Sequence, residues 1–546
     1  NDGKSLKDFV GESEEKSGAT ASHMLDMHTS TDHETAPTEK KSLSFFIETY
    51  GCQMNVADTE IVNSVLESSG HKVCNSVDEA DVILTNTCAI RENAETKIWN
   101  RIAFFNSMKV KNRLNKQNVG YPVVGVLGCM AERLKERLLE ENGVDFVCGP
   151  DAYRDIPHLL NEVTGSTDQK AANVQLSLDE TYADIKPVRH TSSVAAFVSI
   201  MRGCNNMCSY CIVPFTRGRE RSRDIQSIVQ EIKDLSSEGV KEVMLLGQNV
   251  NSYHDSGEYS VSAYPNGEYK SASGFKNLYR LRNGAGARFA DLLDAVSSVD
   301  PEMRVRFTSP HPKDFPDEVL TLISERQNLC KSLHLPAQSG STTMLERMRR
   351  GYSREIYDEL VYKTKALIPG VCLSSDFIAG FCGETLEEHE ATVDLMHKTK
   401  FDQAFMFAYS LRDRTHAAHR LNDDVPEEEK LRRLQEIIAA FRENVQAKND
   451  LLVNTYMVVL VEGPSRKSST ENPKLTGRSD TNHRCVFPDL NVPLYEKGGQ
   501  NTAMANTGFK IQPGDYVVVK VLRAAGTTLH SEAVGLTTLS QFYSSA

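Results

Sequence analysis

The sequence predicts an α/β chain with three folded parts, and three patterns predict it. Between residues 43 and 163, apolar runs end at or just before a cysteine and are followed by helix-like patterns, which favours an open parallel α/β domain. From 194 to 450, strand-like and helical stretches alternate again, which indicates a parallel β/α architecture. From 451 to 540, short β-like runs separated by Gly and Pro predict a small antiparallel β-barrel.

The segments between these parts are also predicted from composition. A length of 546 residues suits about three domains. Residues 1–42 are rich in Ser, Thr, Glu and Lys and are expected to be disordered, and the polar residues 164–193 are expected to form a linker. Residues 254–288 interrupt the central part without a clear period. They predict a flexible insertion, which would be either a lid or RNA-contacting loop or a tolerated surface segment.

Membrane and targeting signals are absent from the printed sequence. No run approaches the roughly 18 consecutive apolar residues of a membrane span, so none is predicted. No arginine precedes Arg91, so an Arg-rich transit peptide is not expected within this chain. The net charge of −12 does not exclude an RNA partner, because RNA binding depends on local basic patches.

The run Met-Arg-Gly-Cys-Asn-Asn-Met-Cys-Ser-Tyr-Cys places Cys204, Cys208 and Cys211 at C-x3-C-x2-C spacing. Three thiolates can hold a [4Fe-4S] cluster and leave one iron open for a substrate. A structural zinc site is the alternative, but it normally uses four ligands, often two C-x2-C pairs, and this run supplies no second pair. The spacing therefore favours a catalytic iron–sulfur cluster.

A second set of three cysteines follows three predicted strands. Cys52, Cys88 and Cys129 each stand where an apolar run ends, and the carboxyl ends of parallel strands meet at one edge of a sheet. The alternative is that each is an ordinary buried thiol. The repeated placement predicts a second three-cysteine cluster. The remaining cysteines are expected to be core or surface thiols: Cys74, Cys148, Cys330, Cys372, Cys382 and Cys485.

These motifs resemble a known family. The loop from Cys204 to Cys211, with an aromatic Tyr210 before its last cysteine, resembles the radical S-adenosylmethionine (SAM) enzymes. The motifs Gly51-Cys-Gln-Met-Asn55, Asn86-Thr-Cys-Ala-Ile-Arg-Glu92 and Gly128-Cys-Met-Ala-Glu-Arg133 resemble the N-terminal domain of the methylthiotransferases. The resemblance implies a partial (β/α) barrel in the central part, SAM as cofactor and two [4Fe-4S] clusters. It also implies that the six cysteines are the catalytic and metal-binding residues.

Residues at strand ends are the candidates for SAM binding, because the ends of barrel strands face the site. The resemblance implies that the methionine group is held at the end of the second strand and adenine at a later glycine. The same residues could equally be helix caps or turns. The predicted cofactor-binding residues are Tyr210, Gly247, Gln248, Asn249, Gln338, Ser339, Asp376 and Gly380.

The C-terminal barrel is locally basic, with nine Lys or Arg against seven Asp or Glu in residues 451–540. It resembles the RNA-binding TRAM domain of the methylthiotransferases. The resemblance predicts RNA contacts at Arg478, His483 and Arg484. The alternative is a barrel that only caps the enzyme.

Within the family, the motifs resemble the branch that converts N6-isopentenyladenosine beside the tRNA anticodon into its 2-methylthio derivative, in the animal mitochondrial group. This implies a mitochondrial location, a tRNA anticodon loop as partner and an electron donor such as a ferredoxin or flavodoxin-type system. Another name of that group implies a kinase regulatory subunit as a further partner. The alternatives are action on threonylcarbamoyladenosine, or a non-enzymatic iron–sulfur or kinase-regulator binding protein.

Three further features leave their roles open. The basic run 217–223 either faces phosphate or organises the cluster loop. His311 and His334 stand at strand ends, but buried histidines with satisfied hydrogen bonds are commoner than functional ones. The run Tyr409-Ser-Leu-Arg-Asp-Arg-Thr415 departs from the Arg-Pro-Gly-Thr of bacterial family members, which leaves the role of residues 412–415 undecided.

Overall fold

The structure, a computed structural model, describes residues 42–89, 92–114, 122–165, 169–190, 193–257, 274–276, 286–495 and 508–544. The predicted disordered tail lies outside these residues except for Ser42, and so does most of the predicted insertion. No described helix is both long and apolar enough to cross a bilayer.

The N-terminal part is built on one parallel sheet of six strands in the order β2-β1-β3-β4-β5-β6. Its central strands are apolar and buried, which gives a core on both faces of the sheet. The strands are β1 (Ser44–Thr49), β2 (Lys72–Val73), β3 (Val82–Thr87), β4 (Val123–Gly128), β5 (Phe146–Cys148) and β6 (Ala171–Asn173). The helices are α1 (Gln53–Ser68), α2 (Glu92–Leu114), α3 (Cys129–Glu140) and α4 (Ile156–Gly165).

The segment predicted as a linker is partly structured. It contains β6, whose Ala171 pairs with Phe146 of β5. Further along, Tyr182 is buried and stacks on Tyr153. The Tyr182 hydroxyl accepts a hydrogen bond from the Tyr153 backbone N–H at 2.9 Å. The polar composition concealed this, because Ala171 and Tyr182 are single buried residues in an otherwise polar segment.

The central part holds six parallel strands in sequence order, in two groups of three, β13-β10-β7 and β14-β15-β16. A parallel bridge from Val305 to Leu329 joins the first group to the segment that leads into β14. The strands are β7 (Ala195–Ser199), β8 (Met201–Arg202), β9 (Arg221–Ser222), β10 (Glu242–Leu246), β11 (His254–Asp255), β12 (Ala287–Arg288), β13 (Arg304–Phe307), β14 (Ser332–His334), β15 (Cys372–Ala379) and β16 (Gln403–Ala408).

Helices cover the outer side of these strands, where the largest apolar core lies. The antiparallel pair β11 and β12 brings together the two ends of the predicted insertion. The helices are α5 (Val213–Thr216), α6 (Ile225–Ser237), α7 (Phe289–Ser297), α8 (Asp317–Glu325), α9 (Thr342–Arg347), α10 (Arg354–Leu367), α11 (Leu386–Thr399), α12 (His416–Arg420) and α13 (Glu427–Asp450).

The C-terminal part is a closed five-stranded barrel in the order β17-β18-β19-β21-β20. The fold class predicted from the sequence is thus confirmed, with one difference: β19 and β21 pair in parallel, and the other pairs are antiparallel. The strands are β17 (Tyr456–Pro464), β18 (Lys474–Ser479), β19 (Arg484–Pro488), β20 (Tyr516–Ala525) and β21 (Thr528–Thr537), followed by α14 (Leu539–Ser544).

Candidate active site

The first three cysteines lie at the carboxyl ends of neighbouring strands. Cys52 follows β1 and precedes α1, Cys88 follows β3, and Cys129 begins α3 directly after β4. Because β1, β3 and β4 are adjacent in the sheet, these ends share one edge. Gly51 has a φ of +122°, and a Cβ atom there would lie 2.6 Å from the Cβ atom of Cys88. Only glycine therefore lets the loop of Cys52 come this close to Cys88.

Buried amides fix the loops that carry these thiols. Asn55 Nδ2 donates to Asn86 Oδ1 at 3.1 Å and to the Thr87 carbonyl at 2.9 Å, and Asn86 Nδ2 donates back to the Asn55 carbonyl at 2.9 Å. The Cys52 thiol donates to Asn55 Oδ1 at 3.4 Å. Gly128 has a φ of +88°, and a Cβ atom there would lie 2.6 Å from Asn86 Oδ1. The non-cysteine residues of the three motifs thus position the cysteines.

The environment of Cys129 suits a metal ligand. Burial raises the pKa of its thiol to about 11, with Arg217 opposing the rise and Cys88 adding to it. Arg217 Nε donates to the sulfur at 3.1 Å. Cys88 and Cys129 follow the adjacent strands β3 and β4. A neutral thiol beside a cationic donor can give up its proton to iron, since a metal binds the thiolate.

The second triad sits on the loop after β8. Gly203 has a φ of +75°, and a Cβ atom there would lie 2.0 Å from the Arg219 carbonyl oxygen, so this turn requires glycine. Arg350 lies beside the loop: its Nη1 donates to the Cys208 sulfur at 3.3 Å and to the Tyr210 hydroxyl at 3.4 Å. Its Nη2 donates to the Pro336 carbonyl at 2.8 Å, which fixes the guanidinium.

The cysteines of this triad share one loop, in which the Cys211 N–H donates to the Cys208 carbonyl at 3.0 Å. Burial raises the pKa of Cys211 to about 12, and Cys208 adds to the rise. Burial likewise raises the pKa of Cys204 well above its usual range, with contributions from Cys211 and Cys208. All twelve cysteines lie in the described part of the chain, and none forms a disulfide. Both triads therefore present free thiols.

The two triads lie close to each other. Cys129 belongs to the same apolar cluster as Ile212, the residue after Cys211. Cys52 packs in another cluster with Leu246, the last residue of β10. The structure thus brings an N-terminal set of thiols against the strand ends and cluster loop of the central part.

A buried ion-pair network fixes this approach. Asp58 of α1 is fully buried and lies 2.8 Å from Arg202 Nη2 and 2.7 Å from Arg217 Nη2. Tyr153 donates its hydroxyl to the same carboxylate at 3.2 Å. Burial alone would raise the pKa of Asp58, but Arg217 and Arg202 outweigh it and hold the pKa below its usual range. The carboxylate is therefore charged, and it joins the N-terminal part to the cluster loop.

Three of the four arginines in the basic run 217–223 are accordingly turned inward, and Arg219 is exposed. Arg217, Arg221 and Arg223 are buried. Arg221 forms a bidentate pair with Asp151 at 2.7 and 3.0 Å, and Arg223 Nη1 donates to Glu231 at 2.8 Å. Of the two predicted roles, the structure favours organisation of the cluster loop. Sequence inspection missed Asp58 and Arg202, because no local pattern marks them.

The first group of predicted cofactor-binding residues lies directly against the cluster loop. Gln248 accepts a hydrogen bond from the Gly203 N–H at 2.6 Å, so its side chain supports that loop. Asn249 is buried and donates to Asp314 at 3.0 Å, while its Oδ1 has no partner among the described residues. A Cβ atom at Gly247 would lie 2.5 Å from the Met201 side chain. These contacts make the segment a wall of the site.

The second group lies in the segment after β14, which holds Gln338 and Ser339, and within β15, which holds Asp376. Gln338 has a φ of 72° and exchanges backbone hydrogen bonds with Asp376 and Ile378. Ser339 is buried and accepts a hydrogen bond from Ser341 N–H at 3.2 Å, as a turn residue does. Only Asp376 of this group has a partly exposed side chain, and its Oδ2 lies 3.3 Å from His334 Nε2.

Gly380 packs closely against α13. A Cβ atom there would lie 2.3 Å from the Lys430 side chain of α13, and the Gly380 N–H donates to Glu384 at 2.7 Å. Close packing of a helix therefore explains this glycine, whereas the resemblance implied adenine contact. His311 is buried, and its Nδ1 accepts a hydrogen bond from the Lys313 N–H at 3.3 Å, which is the contact of a core histidine.

The predicted RNA contacts divide into two kinds. Arg478 and Arg484 are partly exposed; Arg478 Nε lies 3.1 Å from Glu462 and Arg484 Nε donates to Thr476 at 3.3 Å. His483 is only 7% exposed and lies against the central part, so it is not on a surface that RNA could reach. The burial of His483 therefore disfavours the predicted RNA contact at this residue, and residue type alone does not reveal such burial.

The segment 409–415, which differs from that of bacterial family members, has a structural role. Thr415 caps α12 by accepting from the Ala418 N–H at 3.2 Å, and its hydroxyl donates to the Arg412 carbonyl at 2.7 Å. The Ala417 N–H of the same helix donates to the Ser209 carbonyl in the cluster loop at 2.7 Å. The segment therefore supports the loop of Cys208 and Cys211.

Comparisons with known proteins agree with these features. The family model "Uncharacterized protein family UPF0004" matches residues 44–149, and the model "Radical SAM superfamily" matches residues 198–396. Mitochondrial tRNA methylthiotransferase CDK5RAP1 of Homo sapiens is 53% identical over 511 residues, which cover 90% of this chain and 82% of that protein. The tRNA-2-methylthio-N(6)-dimethylallyladenosine synthase of Porphyromonas gingivalis is 44% identical over 496 residues, covering 91% and 96%.

The fold and the cysteine loop of the central part define a radical SAM enzyme, which uses SAM and a [4Fe-4S] cluster. With its N-terminal domain and these relatives, the chain belongs to the radical SAM tRNA methylthiotransferase family. The donor set fits the cluster: three free, adjacent thiols stand on a glycine-dependent turn beside a buried arginine.

Proposed function

We propose that this protein converts N6-isopentenyladenosine beside the tRNA anticodon into 2-methylthio-N6-isopentenyladenosine. The observation that carries the proposal is the adjacency of two free three-cysteine sets, one in each of two domains, across the apolar contact of Cys129 with Ile212. A structural site would not need two incomplete ligand sets. A mitochondrial location is part of the proposal, in line with the name of the Homo sapiens relative. An electron donor such as a ferredoxin or flavodoxin-type system is also part of it.

In this proposal Cys204, Cys208 and Cys211 hold the cluster that cleaves SAM, and the other triad holds an auxiliary cluster. Bound together, the two clusters and SAM supply radical activation of an aromatic C–H bond and a sulfur for insertion, chemistry that side chains alone cannot perform. The protein aligns the groups and excludes water. Arg350 holds the loop through Cys208 and Tyr210, and the Asp58 pairs hold the two triads together.

The proposed base-binding surface is one face of the sheet β14-β15-β16, which we call the inner face. Registered neighbours of a parallel sheet point to the same side, so Asp376 and Phe405 share a face, as do Ile378 and Phe407. The opposite face packs into the core through residues such as Met406. Ile378 contacts the cluster that contains Tyr210, so the inner face adjoins the cysteine loop.

The chemistry of the inner face favours an apolar substituent on the base. Phe405 and Phe407 are 46% and 42% exposed, two positions apart on one strand, and can contact a base and a hydrocarbon chain. The ring centroids of His334 and Phe405 are 6.1 Å apart in an edge-to-face arrangement. Asp376 Oδ2 lies 3.3 Å from His334 Nε2, so the carboxylate lies near the same aromatic pair. A threonylcarbamoyl group carries a carboxylate, which Asp376 would repel. The inner face therefore favours isopentenyladenosine over the threonylcarbamoyl alternative.

Product formation with three RNAs tests the proposed function. The reconstituted protein, given SAM and a reductant without oxygen, is expected to methylthiolate an anticodon stem-loop that carries isopentenyladenosine. Stem-loops with threonylcarbamoyladenosine or unmodified adenosine at the same position are expected to react at least about 10-fold more slowly, because a lost apolar contact costs about 1–3 kcal/mol. Mass spectrometry of the digested RNA measures each product. Equal reaction of all three, or reaction of the threonylcarbamoyl RNA alone, would contradict the proposed substrate.

Truncation of one inner-face aromatic tests the surface itself. Phe405→Ala is expected to raise KM for the isopentenyl RNA by about 5- to 100-fold, since stacking is worth about 1–3 kcal/mol. It should leave the iron content unchanged, because Phe405 lies on β16, outside both cysteine loops. Phe104→Ala, on α2 in the N-terminal part with a 44% exposed ring, is the matched control and should keep the KM of the unmodified protein. An unchanged KM in Phe405→Ala would place the base elsewhere.

The C-terminal barrel is proposed to contribute RNA affinity through Arg478 and Arg484, which are its two predicted contacts with partly exposed side chains. Its turn at residues 478–480 is fixed to the central part, since Arg304 Nη1 donates to the Arg478 carbonyl at 2.7 Å and Arg306 Nη1 to the Asp480 carbonyl at 2.8 Å. A fixed turn presents its cations in one orientation, which favours phosphate contact.

A further inference from the structure

A cluster of metal-ligand residues lies away from both cysteine triads, where the barrel meets the central part. Cys372 begins β15, Asp402 directly precedes β16, and His483 directly precedes β19. One possible ligand atom from each of the three lies within 4.8 Å of the other two. Cys372, Asp402 and His483 are 7%, 6% and 7% exposed. Three buried donors from three segments therefore face one point.

The hydrogen bonds of the three residues leave possible metal-ligand atoms available at that point. Asp402 Oδ2 accepts from the Leu373 N–H at 2.8 Å and from Lys448 Nζ at 2.7 Å. His483 Nδ1 is 2.9 Å from the Thr481 hydroxyl, while its Nε2 has no partner among the described residues. A buried polar atom without a partner is rare, because it loses its hydrogen bond to water without replacement. His483 Nε2 is therefore available to bind a metal ion.

The protonation states agree with metal binding. Burial lowers the pKa of His483, with Asp402 opposing and Lys448 adding to that fall, so the ring is neutral at pH 7 and can bind a cation. Burial raises the pKa of Cys372, so its thiol is protonated until a metal displaces the proton. Lys448 and the Leu373 N–H bind the carboxylate from the outside, as groups behind metal-binding carboxylates do.

We propose that Cys372, Asp402 and His483 bind a Zn²⁺ ion that joins the C-terminal barrel to the central part. Thiolate, imidazole and carboxylate are zinc ligands, and three of them leave a fourth position for water. Binding releases the thiol proton of Cys372 to solvent, and no electron is transferred. The charges of the thiolate and the carboxylate balance the ion.

Zinc at this place would fix the turn that carries Arg478. The same turn is held by Arg304 and Arg306 through backbone carbonyls, so the metal would add a third attachment. The site is independent of the proposed function, since none of its ligands is a triad cysteine or one of the proposed base-contacting residues Asp376, Phe405 and Phe407. It also assigns a role to Cys372 that differs from the core or surface thiol expected from sequence.

Zinc content of the holoprotein tests the proposal. The protein is reconstituted with iron and sulfide, so that the six triad cysteines are filled, and is dialysed against a chelator before elemental analysis. About one zinc per chain is expected in the unmodified protein and in Cys330→Ser, which alters another buried cysteine. Cys372→Ser and His483→Ala are expected to hold less than about a fifth of that amount. Equal zinc in these variants, or no zinc in the unmodified protein, would overturn the proposal.

X-ray absorption at the zinc edge covers the case in which a variant fails to fold, because it needs only the unmodified protein. One sulfur and about three nitrogen or oxygen ligands are expected. A zinc with three or four sulfur ligands would show an ion bound at a cysteine triad, and it would overturn the assignment to Cys372, Asp402 and His483.

Discussion

Replacing Asp58 with asparagine is expected to lower the free energy of unfolding by about 3–5 kcal/mol. The substitution keeps the side-chain volume but removes the charge that pairs with Arg202 at 2.8 Å and Arg217 at 2.7 Å. Two guanidinium groups would then remain buried without their counter-ion, and a charge left in this state is far more costly than a lost surface contact. Urea unfolding of the unmodified and variant proteins measures the difference.

The matched control is Asp317→Asn. Asp317 pairs with Lys363 at the surface, where both side chains are well exposed. An exposed ion pair contributes about 0–1 kcal/mol, so this variant should unfold nearly as the unmodified protein does. If Asp58→Asn lost no more stability than Asp317→Asn, the buried network would not be what joins the N-terminal part to the cluster loop.

The same carboxylate makes stability depend on pH in a predictable direction. The pKa of Asp58 is lowered in the folded protein, since Arg217 and Arg202 outweigh burial. Its contribution is therefore fully present above the pKa of an unfolded aspartate, about 3.9, and is lost as the pH falls through the folded value. Asp58→Asn lacks this titration, so the stability difference between the two proteins should shrink as the pH falls below about 4.

The sequence predicted the cysteine triads because their signals are local. Each of Cys52, Cys88 and Cys129 follows an apolar run, and one rule about parallel sheets brings the ends of such runs together. The loop of Cys204 to Cys211 is a single continuous motif. The strands of the central part were predicted for the same reason, since short strand-like runs are visible without knowledge of their partners.

Interfaces between the parts could not be predicted, because they depend on burial. Arg217, Arg221 and Arg223 form a basic run that is typical of phosphate binding, yet their partners Asp58, Asp151 and Glu231 are acidic residues of distant segments. His483 was predicted at an RNA surface because it stands in a basic turn, and the structure buries it. Residue type fixes what a side chain can bind, but only packing decides which partner it meets.

Removal of the N-terminal triad is expected to have the largest effect of all. The variant with Cys52→Ala, Cys88→Ala and Cys129→Ala should fall from about eight iron per chain to about four after anaerobic reconstitution. Methylthiolated RNA should fall at least about 100-fold, because the proposed site of sulfur insertion is lost. Cleavage of SAM to 5′-deoxyadenosine should continue, since Cys204, Cys208 and Cys211 are intact. Iron analysis and chromatography of both products measure the three effects.

Two matched variants separate this result from misfolding. Cys204→Ala with Cys208→Ala and Cys211→Ala should also hold about four iron, but it should lose SAM cleavage and RNA product together. Cys74→Ser changes a partly exposed cysteine outside both triads and should retain iron and both products. If the unmodified protein and the N-terminal variant both held about four iron, the N-terminal cysteines would hold no cluster. The contact of Cys129 with Ile212 would then place metal-free thiols beside a single cluster. The methylthio group would then have no assigned site, because a single radical SAM cluster accounts for activation of the base but not for the sulfur that is inserted.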